Sequence, residues 1–66
     1  MKLIVNGENK EYPEGITLDE LILQLGIKKE AVVAEVNRHI VQPQMRSKKM
    51  LSEGDQIELI QFVGGG

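Results

Sequence analysis

The stretch Ile16-Thr17-Leu18-Asp19-Glu20-Leu21-Ile22-Leu23-Gln24-Leu25-Gly26 limits the possible folds of this chain more than any other feature. Thr17 and Glu20 have the S/T-x-x-E spacing of a capping box, Asp19 suits the positive end of a helix dipole, and Ile16 is placed to staple onto Leu21. The pattern predicts a helix beginning at Leu18. Leu18, Leu21, Ile22 and Leu25 recur at i, i+3, i+4 and i+7 as a single apolar stripe, and Gly26 offers a left-handed stop. One stripe can cover one flat apolar surface, so the rest of the chain must supply it.

Both flanks read as strands. Met1, Leu3 and Val5 alternate with Lys2 and Ile4, and Asn6-Gly7 then favours the positive φ angles of a tight hairpin turn. The return strand, about Glu8 to Tyr12, is too polar for the middle of a sheet and is followed by Pro13, so it reads as an edge. Beyond the helix, Val32, Ala34 and Val36 share a face opposite Val33 and Glu35, Asn37-Arg38 reads as a turn, and His39-Ile40-Val41 as a short partner strand. From Gln42 to Asp55 the alternation lapses, and Met45, Met50 and Leu51 are expected to pin this connection to the core. After the turn cluster Ser52 to Asp55, Ile57 and Leu59 alternate with Glu58, Ile60 and Phe62 in a last strand that runs into the terminal glycines.

A single helix can cover one face of a single sheet. The apolar first and last strands belong at its centre, paired parallel, because a long crossover containing the helix separates them. The expected fold is therefore α+β: a β-grasp, or ubiquitin-like, mixed sheet of four to five strands with the helix on one face. Residues 1–63 would form the single domain and residues 64–66 a flexible tail. Its predicted core is Leu3, Val5, Val32, Ala34, Val36, Ile57 and Leu59 against Leu18, Leu21, Ile22 and Leu25.

Composition bounds the function. A chain of 66 residues leaves no room for a deep substrate cavity. With 0 cysteines it has no disulfide framework, no thiolate nucleophile and no thiolate ligand for zinc, which points towards a reducing cytoplasm. No apolar run approaches a membrane span and no leader pattern precedes the first strand, so a soluble, cytoplasmic protein without a membrane partner is expected. Of 8 basic and 10 acidic residues, four and seven lie up to Val36 and four and three follow, so no basic face suits nucleic acid.

Taken together, the MKLIVNGE opening, the TLDELILQLGI helix, VVAEVNRHIV, the EGDQIELIQFV turn and strand, and the terminal GGG resemble the ThiS family of ubiquitin-like sulfur carriers along the whole chain. The resemblance implies a non-enzymatic protein co-substrate of thiamine biosynthesis that binds no cofactor of its own. A ThiF-type adenylyltransferase using ATP and magnesium would adenylate the Gly66 carboxylate, and a cysteine desulfurase persulfide would supply sulfur. The product would be a Gly66 thiocarboxylate, which passes its sulfur to the thiazole synthase ThiG. Gly64 and Gly65 would thread the partner's channel, since the absence of side chains leaves the backbone free and the acyl carbon open. Three extended glycines reach roughly 10 Å, so the folded body must dock close to the activating site. The small subunit of molybdopterin synthase, a conjugating modifier and a plain interaction module remain as other readings of the same pattern, and a cloning scar or linker as another reading of the glycines.

Ile4, Ile60 and Phe62 fall on the face of the sheet away from the helix, an apolar patch beside the tail that is the candidate docking surface; burial under the long connection is the alternative. Other candidates are weaker. For His39 the sequence reveals no oriented partner of the kind a general base requires, so a structural or solvated role is expected, and for Ser47, Ser52, His39 and Asp55 chain order is no evidence of a hydrolase set and no oxyanion loop is visible. Arg46, Lys48 and Lys49 read as a solvated basic loop, or alternatively as a contact for an acidic partner.

Overall fold

The computed structural model describes residues 1–62. Strand β1 (Lys2–Val5) turns through Asn6 (φ 49°) and Gly7 (φ 82°) into β2 (Glu8–Glu11), so both turn residues take the left-handed conformation that the Asn-Gly pair favours. Helix α1 (Leu18–Gln24) follows, then a short 3₁₀ turn (Lys29–Ala31), β3 (Val32–Val36), β4 (His39–Ile40), a 3₁₀ segment (Pro43–Lys48) and β5 (Gln56–Gln61). The sheet has five strands in the order β2-β1-β5-β3-β4. The β1–β5 pair is parallel and the others are antiparallel. This is the β-grasp arrangement, with the apolar first and last strands adjacent near the centre and the polar β2 at an edge.

The helix ends as its sequence predicts. Thr17 Oγ1 accepts from the Glu20 amide at 3.2 Å, while Glu20 Oε1 accepts from the Thr17 amide at 2.8 Å, completing the capping box. At the other end Gly26 (φ 71°) donates to Leu23 O at 3.0 Å and Ile27 donates to Ile22 O at 3.3 Å, the two bonds of a Schellman motif. Leu18, Leu21 and Ile22 are buried against Leu3, Val5, Val32, Ala34, Val36, Ile57 and Leu59, with Leu25 half-buried beside them. Ile16 and Leu51 complete the core.

The connection after β4 departs from expectation. Met45 and Met50 do not pin it, being 49% and 60% exposed; among the apolar residues expected to do so only Leu51 is buried. Its second anchor is Arg46, which is 3% exposed and so is no part of a solvated basic loop. Nη2 of Arg46 donates to Val32 O at 2.6 Å and Nη1 to Lys29 O at 3.0 Å, while Nε has no partner among the described residues. These carbonyls lie at the 3₁₀ turn and the start of β3, where the backbone switches geometry and loses regular partners. A guanidinium supplies several donors in one plane, and its aliphatic stem packs as an apolar side chain does. The connection is fastened further by an isolated bridge between Thr17 and Met50, with Leu18 donating to Lys49 O at 2.9 Å and Leu51 to Ile16 O at 3.0 Å.

Candidate functional site

The candidate site begins with β5, whose alternate residues face opposite ways. Ile57 and Leu59 are buried under the helix at 1% and 6% exposure, whereas Ile60 is 47% and Phe62 60% exposed. Ile60 lies opposite Val33 of β3 on the open face, and Ile4 of β1, half-buried, is in register with Gln56. The candidate docking residues thus occupy the sheet face away from the helix. Long-loop burial, the alternative reading, does not occur at Ile60 or Phe62. Gly64, Gly65 and Gly66, like the proposed boundary between residues 63 and 64, lie outside the described residues.

Two asparagines, Asn6 and Asn37, hold β5 in place in addition to forming their turns. Asn6 accepts from the Leu59 amide through Oδ1 at 2.8 Å and donates from Nδ2 to Leu59 O at 3.4 Å, while its own amide donates to Ile57 O at 2.8 Å. Its side-chain amide extends the β1 edge by one more pair of ladder bonds after the chain has turned away. Asn37, at φ 52°, does the equivalent at the other end. Its Oδ1 accepts from the Gln56 amide at 3.0 Å, its Nδ2 donates to Asp55 Oδ1 at 2.9 Å, and its backbone amide donates to Gln56 O at 2.7 Å. Beyond the strand, the Phe62 amide donates to Ala31 O at 2.8 Å. The strand that leads to the glycines is therefore held along its length. The only available signal for these clamps was an asparagine at a left-handed turn, because their targets lie far away in sequence.

The remaining candidates are dispersed. His39 is exposed on β4, across from Val36, beside an open groove lined by Ile40, Met45, Lys48 and Lys49. Asp55 is occupied by Asn37 and by the Ser52 amide, which donates to it at 2.8 Å. No catalytic set is assembled among His39, Ser47, Ser52 and Asp55. Among the described residues no group of His, Cys, Asp or Glu could hold a metal ion, and no helix is long and apolar enough to cross a membrane.

This arrangement matches known proteins along the entire chain. The model of the ThiS family matches residues 3–66. The sulfur carrier protein ThiS of Escherichia coli is 29% identical over 66 residues, covering all of both chains. Thiazole synthases of Paramagnetospirillum magneticum and Magnetococcus marinus are 33% and 39% identical over 66 residues, and this chain spans only 20% of their length. The crystal structure of the thiamine biosynthesis protein ThiS from Geobacter metallireducens superposes over all of both chains with a TM-score of 0.86 at 29% identity. Its solution NMR structure gives 0.83, also at 29% identity, with all of this chain and 88% of that one covered. A matched model spanning nearly every residue, on a β-grasp sheet whose last strand carries the glycine end, makes this chain a member of the ThiS family.

Proposed function

We propose that this chain is a sulfur carrier for thiazole formation in thiamine biosynthesis, acting as a co-substrate with Gly66 as its reactive residue. A carboxylate is a poor electrophile. Attack of a Gly66 carboxylate oxygen on the α-phosphorus of ATP, within a ThiF-type adenylyltransferase and with its magnesium, releases pyrophosphate and leaves an acyl-adenylate. A persulfide sulfur, from a cysteine desulfurase, then displaces AMP. Reduction of the resulting acyl disulfide by a thiol leaves the thiocarboxylate, which thiazole synthase ThiG consumes. Ile4, Ile60 and Phe62 are the contacts that seat the body against the activating enzyme, and Gly64 and Gly65 present the end without steric obstruction.

The observation that carries this reading is the full-length match to a protein named as a sulfur carrier. The thiazole synthases of which this chain spans a fifth support ThiG as acceptor, since a carrier-like segment there shares one polypeptide with the synthase. The working compartment is the cytoplasm, where a thiocarboxylate and its thiol reductant coexist.

Intact-mass spectrometry tests the reading. After incubation with the activating enzyme, ATP and a persulfide donor, the chain gains the mass of one sulfur for one oxygen, and a variant extended beyond Gly66 does not. Higher-mass adducts on other proteins, or an unchanged mass, overturn it.

A further inference from the structure

On the open face the β3–β5 register sets Glu35 directly opposite Glu58. Opposed residues of an antiparallel pair leave the same side of the sheet with Cβ atoms about 4.5–5.5 Å apart, so the two acidic side chains rise from the sheet side by side. Among the described residues neither has an ion pair or a hydrogen bond, the one ion pair being that of the Met1 ammonium with Glu11. Apolar side chains border the pair, except towards Asn37 and Gln56. Ile60 and Val33 form the adjoining row, Ile40, 60% exposed, lies across from Glu35 on the outer side, and Ile4 flanks β5 on the other. Like charges directly opposite each other destabilise a sheet, so fold stability does not account for this pair.

Docking gives it a role. A partner that covers Ile4, Ile60 and Ile40 also strips water from the two carboxylates among them. Removing water from unpaired charge is costly unless the partner brings the opposite charge. A guanidinium, planar and with donors pointing in two directions, can bond two carboxylates at this spacing at once. A second copy of this chain, presenting the same acidic pair face to face, would be repelled.

We propose that Glu35 and Glu58 are the specificity-determining residues of the open face, selecting a partner whose apolar contact surface carries an arginine that inserts between them. This rests on the carrier reading and names the surface chemistry the activating enzyme must present. The apolar contacts supply area, and the acidic pair rejects apolar surfaces without a matching cation.

The test compares the wild type with Glu58→Gln and with Glu35→Gln/Glu58→Gln, near-isosteric changes that remove only charge. Urea midpoints of the free carriers are measured beside KM and kcat for carrier-dependent ATP–pyrophosphate exchange by the activating enzyme at low and moderate salt. The expected result is an unchanged or higher midpoint, KM raised about tenfold or more at low salt for the double variant, kcat little changed, and a flatter salt dependence of KM. An unchanged KM with the wild-type salt dependence overturns the proposal, as does a lowered midpoint, which would make the pair structural. Exchange by the wild type together with an unaffected variant removes this inference alone. Absence of exchange with the wild type removes the carrier reading and this inference with it.

Discussion

Ile57 and Ile60 lie three residues apart on one strand, yet one is 1% and the other 47% exposed. The helix covers one face of the sheet and nothing among the described residues covers the other. The two faces differ in chemistry as well as exposure. The covered face is aliphatic and continuous with α1, whereas the open face mixes Ile4, Val33, Ile40 and Ile60 with Glu35 and Glu58. In so small a domain the covered face has to provide most of the folding free energy, which leaves the open face free to be shaped for contact. The comparison assigns stability to one side and recognition to the other, and substitutions on either side can break it.

The largest effect is expected on the covered side. Ile57→Ala should cost about 2–5 kcal/mol by urea unfolding, since the site is enclosed and the cavity cannot be refilled from solvent. A domain of this size has only about 3–10 kcal/mol in total, so this variant should lose a large share of it and unfold at a markedly lower urea concentration. Arg46→Ala comes next, at about 2–3 kcal/mol, because the buried Val32 carbonyl and the part-buried Lys29 carbonyl lose their donors. Lys49→Ala, three residues along and exposed, should change stability by no more than about 0.5 kcal/mol in the same assay. Equal effects at the two positions would remove Arg46 as an anchor. Thr17→Ala should cost about 1 kcal/mol through loss of the helix cap, read from the same unfolding curves. Phe62→Glu should have the smallest effect on stability, within about 0.5 kcal/mol, while abolishing adenylation. If it unfolds the protein instead, Phe62 belongs to the core and the division of faces is wrong.

The covered side was also the more legible in sequence. Alternation in β1, β3 and β5, the i, i+3, i+4 stripe and the capping box depend on near neighbours, and each appears in the structure as its pattern implied. The open-face positions of Ile4 and Ile60 followed from the same alternation. In the segment from Gln42 to Asp55 the Leu51 anchor and the Ser52–Asp55 turn were legible, but the remainder was not, because its structure depends on distant partners. A long cation is ordinarily exposed, and nothing near Arg46 in sequence reveals that carbonyls of Lys29 and Val32 need donors. Hydrophobicity alone points to Met45 and Met50 as anchors, whereas the buried side chains of the segment are those of Arg46 and Leu51. The clamps from Asn6 and Asn37 and the facing of Glu35 with Glu58 depend on strand register, which a period-two pattern leaves open until strands are paired.

Isoleucines are distributed over both faces, which allows one direct measurement. In a methyl NMR titration of isoleucine-labelled carrier with unlabelled activating enzyme, the methyl signals of Ile4, Ile40 and Ile60 should shift or broaden, while those of Ile16, Ile22 and Ile57 stay near their free positions. Perturbation confined to the buried set, or an open-face set that remains unchanged at saturation, would contradict the assignment of recognition to the uncovered side of the sheet.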